Sequence, residues 1–319
     1  MRERLASWRQ AMGMVAIMGL LIAFFAFRTE HFFSLSTLGT LANQIPDATI
    51  LAVGMTFVLL IGGIDLSIGS VVGLSGSVLG LALLQWHCGL ALAFLLCLLT
   101  GLGCGLLNGF LTVRFRLPSF IVTLGMMEAA RGATYLLTNS RTQYIGSQVE
   151  GIANSHPLGF PLPFLVAVVL VIITTIVLQR TQFGRHVFAV GSNEEASRLS
   201  GIDTNRVKVV VFALCGLLAA LASTINVSRL SSADPNAGNG YELQAIAAVV
   251  IGGTSLLGGR GSVLGSVFGV LMIAVLGNGL VQIGAEEPHK RLITGCVILL
   301  AVLADRYRTR QSTPKCEKP

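Results

Sequence analysis

Residues 48–84 read ATILAVGMTFVLLIGGIDLSIGSVVGLSGSVLGLALL, two apolar runs on either side of Gly62-Gly63-Ile64-Asp65-Leu66-Ser67, with Asp65 the one charged residue in the stretch. Each run approaches the roughly 20 apolar residues that a helix needs to cross the hydrocarbon core of a bilayer. The stretch therefore predicts two membrane spans, near 41–61 and 66–85, meeting at a break. Outward from this pair the pattern repeats, with candidate spans near 11–27, 91–113, 119–138, 162–178, 207–227, 242–258, 263–283 and 292–304, the last of them short. The fold class is an all-α integral membrane protein, a bundle of about ten transmembrane helices with broken or re-entrant segments, forming one domain over 1–319.

Composition agrees. The chain is 53% hydrophobic and 12% charged, with a mean hydropathy of +0.76, against about 25% charged residues in a soluble domain. Arg2, Arg4 and Arg9 ahead of an apolar run imitate a signal peptide, but Phe24, Phe25 and Phe27 occupy the place of small cleavage-site residues, so an uncleaved first span is expected. The six cysteines (Cys88, Cys97, Cys104, Cys215, Cys296, Cys316) show no metal-ligand spacing, and neither a metal nor a cofactor is expected. The net charge of +7 belongs to loops between spans and does not signal nucleic acid.

Those loop charges set orientation. With the N-terminus inside, 16 of the 22 Lys and Arg face the cytoplasm, including Arg114, Arg116, Arg180, Arg185, Arg198, Arg206, Lys208, Arg260 and the tail with Arg306, Arg308 and Arg310. Five face outward (Arg28, Arg141, Arg229, Lys290, Arg291), and Arg131 lies within a span. The split favours an even number of spans, with both termini and the long loop 179–206 cytoplasmic. Glycine contributes 37 residues, many four apart, as in Gly69/Gly73, Gly76/Gly80, Gly101/Gly105/Gly109 and Gly261/Gly265/Gly269. Such stripes let helix backbones approach closely in lipid and predict a tightly packed bundle.

Functional signals are sparse. No G-x-x-x-x-G-K-[ST] phosphate loop, His/Cys cluster or nucleophile elbow occurs, so the chain is not expected to hydrolyse ATP or to be an enzyme. Ionisable groups within spans are costly and mark function or internal pairing. Glu128 and Arg131, at i and i+3, can neutralise each other. Glu242 at the start of a span suits the helix dipole. Asp65 either caps the helix that follows or lines a passage. Ile251-Gly252-Gly253 and Gly261-Ser262-Val263 echo Ile61-Gly62-Gly63 and Gly69-Ser70-Val71, a hint of an internal repeat of the kind transporters use. In the loop, Ser192-Asn193-Glu194-Glu195-Ala196-Ser197-Arg198-Leu199-Ser200-Gly201 carries a Ser-x-x-Glu capping box and a terminal Gly, predicting a helix of about two turns. Its partner is either the chain's own bundle or a groove on a soluble subunit.

Taken together, these segments resemble the permease subunits of bacterial ribose-type monosaccharide ABC importers. The carriers are Ala52-Val53-Gly54-Met55-Thr56 leading into Gly62-Gly63-Ile64-Asp65-Leu66-Ser67, Pro118 to Gly125 with Arg131-Gly132, Gly184-Arg185 through Gly191 to Gly201, Tyr241-Glu242-Leu243, Ala245 to Thr254, and Gly258 to Ser262. The resemblance implies a type II-like importer in a bacterial inner membrane. Its partners are a cytoplasmic ABC ATPase, a periplasmic sugar-binding protein and a second permease copy or paralogue, with a monosaccharide as cargo and lipid around it. It makes Gly191, Ser192, Asn193, Glu194, Glu195, Ala196, Arg198, Leu199 and Gly201 the ATPase-coupling helix, and loops 139–161 and 228–241 the receivers of the binding protein. Asn43, Gln44, Asp65, Ser67, Asn108, Glu242 and Asn278 are the candidate linings of the translocation path, each also able to serve as a helix-to-helix hydrogen bond. The chain departs from the family at Gln244, where Asp is frequent, and at Glu128, where small or polar residues are commoner. The rival reading is an ion-coupled secondary transporter, which the scarcity of intramembrane carboxylates disfavours.

Overall fold

A computed structural model describes residues 2–299, except 30, 31, 33, 287, 291 and 298. The chain forms helices α1 (Arg2–Arg28), α2 (Leu35–Leu60), α3 (Ile68–Leu84), α4 (Leu90–Arg114), α5 (Ser119–Thr138), α6 (Ser147–Asn154), α7 (Leu162–Arg180), α8 (Gln182–Ser192), α9 (Glu194–Leu199), α10 (Thr204–Leu230), α11 (Tyr241–Ile251) and α12 (Val263–Gln282). Strands β1 (Gln143–Tyr144) and β2 (Ser232–Ala233) pair antiparallel, Gln143 with Ala233 and Tyr144 with Ser232, and tie the two long loops at one end of the bundle together.

Among the described residues, five helices are long and apolar enough to cross a membrane: Gly39–Leu60, Leu90–Arg114, Leu162–Arg180, Thr204–Leu230 and Val263–Gln282. Shorter apolar helices are Met12–Arg28, Ile68–Leu84 and Tyr241–Ile251. The span expected at 242–258 is therefore corrected. Helix α11 stops at Ile251, and 11 residues reach only about 16 Å at 1.5 Å per residue. Gly252 and Gly253 end it because Gly253 takes a left-handed φ of +89°. Part of the segment expected at 292–304 is described, with 292–297 helical. Residues 300–304 and the basic tail lie outside the described residues.

Helix α2 is the hub. Ala52, Val53, Met55, Phe57, Val58, Leu59 and Leu60 are fully buried, so the second half of the helix, from 49 to 60, is enclosed on every side. In lipid, this enclosure gains packing contacts rather than release from water. Helix α10 packs between α2 and α4, α3 lies against α4, α5 and α10, and α11 and α12 pair beside α2. Helix α1 leans on α12, where Phe25 sits over Gly279 and stacks on Phe32 at 5.9 Å. The expected glycine stripes are contact surfaces. Gly101 and Gly105 of α4 press on the backbone of Gly216 and Phe212 in α10, where an added Cβ would collide.

The repeat suggested by sequence is present as a shared way of ending a helix. At the end of α2, Gly63 N–H donates to Val58 O and Gly62 N–H to Leu59 O, both at 2.9 Å. At the end of α11, Thr254 N–H donates to Val249 O at 3.1 Å and Gly253 N–H to Val250 O at 2.9 Å. Both are six-to-one and five-to-two closures around a left-handed glycine. Gly62 corresponds to Gly253, so the sequence match of Gly62 with Gly252 is off by one residue.

Candidate functional site

The long loop between α7 and α10 contains two helices where sequence predicted one. Thr181 opens α8 by accepting from Gly184 N–H at 3.2 Å, and Val187 and Val190 bury that helix in the main core. These apolar positions and the Thr181 cap were the signal for α8. Ser192 is the last residue of α8, its hydroxyl donating to Phe188 O at 2.8 Å. The expected Ser192 capping box is thus corrected, because Asn193 takes extended backbone and its Oδ1 accepts from Ala196 N–H at 2.9 Å to start α9. The stop falls at Gly201, φ +84°, with Ile202 N–H donating to Ser197 O at 3.1 Å.

Helix α9 stands away from the bundle. Of its residues only Ser197 is buried, while Glu194, Glu195, Ala196 and Arg198 are exposed and Leu199 is 80% exposed. Lys208 of α10 braces it through Glu194 at 2.6 Å. Arg198 pairs with Glu195 at 2.7 Å, and that carboxylate, by hydrogen bond and then by charge, raises the Arg198 pKa. Solvent screens exposed pairs of this kind, so they steady the helix only weakly.

The base of α8 is wedged into both helix breaks. Gly191 lies directly on the carbonyl of Leu60, the last residue of α2, leaving no room for a Cβ, and Gly259 N–H donates to that same oxygen at 2.9 Å. A Cβ on Gly258 would meet Gly191 O at 2.8 Å and Gly62 N at 2.9 Å. The α2–α3 break, the α11–α12 loop and the base of α8 thus converge on one spot.

The seven candidate path residues do not form one site. Asp65, Ser67 and Asn108 come together, all at most 1% exposed. Asp65 Oδ1 accepts from Ser67 N–H (2.9 Å) and Ser67 Oγ (2.6 Å), and Asn108 Nδ2 donates to Ser67 Oγ at 2.9 Å. Ser119 and Thr123 of α5 accept from the backbone N–H groups of Ile64 and Leu66, which pins the extended break. Asp65 shapes the entry to α3 here and is closed to solvent. Asn278 accepts from Gln282 Nε2 at 3.0 Å, and the same nitrogen donates to Thr37 at 2.9 Å. The Glu242 carboxylate lies over Gly69 of α3. Asn43 and Gln44 are exposed in the first half of α2.

Sequence reading missed a polar cluster at that end. Asp47 pairs with Arg229 at 2.9 Å, Asn226 bridges Asp47 (3.5 Å) and Tyr241 Oη (3.3 Å), and Arg229 also donates to Asn43 O at 3.1 Å. Asp47, a lone acid beside Pro46 in an apolar run, was the available signal. The expected Glu128–Arg131 pair does not form. Arg131 instead donates to Pro235 O at 2.9 Å and Ala237 O at 3.1 Å, because the loop preceding α11 offers it two carbonyls.

The family model described as branched-chain amino acid transport system / permease component matches residues 37–302. A ribose import permease of Escherichia coli (strain K12) is 40% identical over 294 residues, covering 91% of each chain. One from Bacillus subtilis (strain 168) is 42% identical over 275 residues, 84% of each. A fructose import permease of Rhizobium meliloti is 34% identical over 310 residues, 93% of this chain and 85% of its own. No solved structure matches the chain. A helical bundle whose α8 is locked to two helix breaks and carries an exposed α9, and a family match over residues 37–302, lead to one statement: this chain belongs to the transport-system permease family.

Proposed function

We propose that the chain is the membrane-spanning subunit of an ATP-driven importer that passes a monosaccharide inward, as its ribose and fructose import relatives are named for doing. Two permease copies enclose the path, a cytoplasmic ATPase docks on α9, and a periplasmic sugar-binding protein docks on the β1–β2 end. The chain crosses an inner membrane an even number of times with both termini inside. ATP binding in the partner supplies the difference between two states of the bundle, since a conformational change needs a differential interaction to drive it.

The observation that carries this reading is the exposure of α9. A six-residue helix is marginal alone in water, and this one presents Leu199 and two carboxylates outward while α8 beneath it is locked to the Leu60 carbonyl. A groove on a soluble partner would cover such a surface. The test is Glu195→Arg and Ala196→Asp in the assembled importer. Membrane insertion should be unchanged, while co-purification of the ATPase and sugar uptake fall at least tenfold. Unchanged uptake and assembly would reject the docking role. Uptake that persists after ATP depletion and collapses with the proton gradient would reject the importer reading.

A further inference from the structure

Helix α5 shows one face to the bundle and another that no described residue covers. Val122, Thr123, Ala130, Thr134 and Thr138 are buried against neighbours, whereas Gly125, Glu128 and Gly132 are exposed and lie along a single stripe at helical spacing. A Cβ built on Gly125 or Gly132 meets no atom within 4 Å. Glu128 is the tenth of the helix's 20 residues, about 15 Å from either end at 1.5 Å per residue.

Its carboxylate has no hydrogen bond or ion pair among the described residues. The one cation within reach on its own helix, Arg131, is engaged by Pro235 O and Ala237 O. At the middle of a span, as sequence reads 119–138, an unpaired carboxylate is costly against hydrocarbon, and such groups almost always face a bundle interior or a water-filled cavity. Taking 119–138 as a span, hydrocarbon is a poor cover for Glu128, and no described residue covers it, although the exposed Ile121, Leu124 and Leu136 on the same helix are apolar.

We propose that the Gly125–Glu128–Gly132 face of α5 lines a water-filled passage against a second copy of this chain, and that the Glu128 carboxylate accepts hydrogen bonds from the hydroxyls of a polyhydroxylated cargo crossing it. The inference rests on the two-copy reading above. Pairs related by a two-fold axis present the same patch to each other, so Glu128 faces its counterpart across the passage. Two facing carboxylates repel anions, which makes the passage selective for neutral polyols over acidic sugars.

The test uses Glu128→Cys in the complete importer, with Gly132→Cys as a second probe one turn along and Leu99→Cys on the outer face of α4 as the lipid-facing control. Membrane-impermeant thiol reagents should label the first two above the level of the unsubstituted chain and leave the control unlabelled. A short bifunctional thiol reagent should link differently tagged copies through position 128. Glu128→Leu should cut uptake of a neutral monosaccharide about tenfold, the size of one lost charge-assisted hydrogen bond, and Glu128→Gln should retain most of it. Tagged copies that co-purify while positions 128 and 132 stay unlabelled and unlinked would overturn the inference and leave the two-copy reading standing. Copies that fail to co-purify would overturn both.

Discussion

At the scale of single residues, geometry separates groups that hold the bundle from groups open to a partner. Asp47 has 5% of its side chain exposed and Arg229 26%, and each is the other's counter-ion. Asp47→Ala should destabilise the protein by about 2–3 kcal/mol, below the full penalty for orphaning a buried charge because Arg229 keeps some solvent. Thermal denaturation in detergent measures it, and Asp47→Ala with Arg229→Ala together should cost less than the single change. Gly191→Val should be worse, since its Cβ would occupy the position of the Leu60 carbonyl. We expect loss of folded protein on size-exclusion chromatography. Residues of this kind were only partly legible in sequence. Asp65 and Asn108 stood out as polar groups in apolar runs. The partner of Arg131 did not, because Pro235 and Ala237 lie more than 100 positions along the chain, and no local spacing rule reports a contact that the tertiary fold creates.

Elements were read better than their edges. Helix-forming runs at 41–61, 91–113, 119–138, 162–178, 207–227 and 263–283 each hold a helix whose ends shift by a few residues. What failed was the assumption that an apolar run continues as one helix through glycine. Gly252 and Gly253 end α11 although Leu256 and Leu257 keep the sequence apolar. The α9 stop at Gly201 was legible because a left-handed closure has a compositional signature. Its start was displaced by one residue because Ser192 and Asn193 are both good caps, and the choice between them depends on where α8 runs out. Gly201→Ala should therefore strain the αL closure by about 1 kcal/mol. Together with Asn193→Ala, another ~1 kcal/mol, it should loosen α9 and lower sugar-stimulated ATP hydrolysis while leaving the melting transition of the bundle in place. A variant pair with full ATPase coupling would show that α9 need not be preformed.

For the whole molecule, the structure places α9 and the two helix breaks at one end and the β1–β2 loops with Arg229, next to last in α10, at the other. On the orientation proposed from the loop charges, the first end faces the cytoplasm. Leu199→Cys should react with an impermeant thiol reagent in inside-out vesicles and not in right-side-out ones, whereas Tyr144→Cys should do the reverse. The opposite pattern would invert the topology and remove α9 from the ATPase. One carbonyl, Leu60 O, receives Gly259 N–H and supports Gly191. Because both halves of the repeat and the base of α8 bear on that oxygen, a displacement of α8 is expected to be felt by both halves at once, so that a load reaching one break is shared with the other.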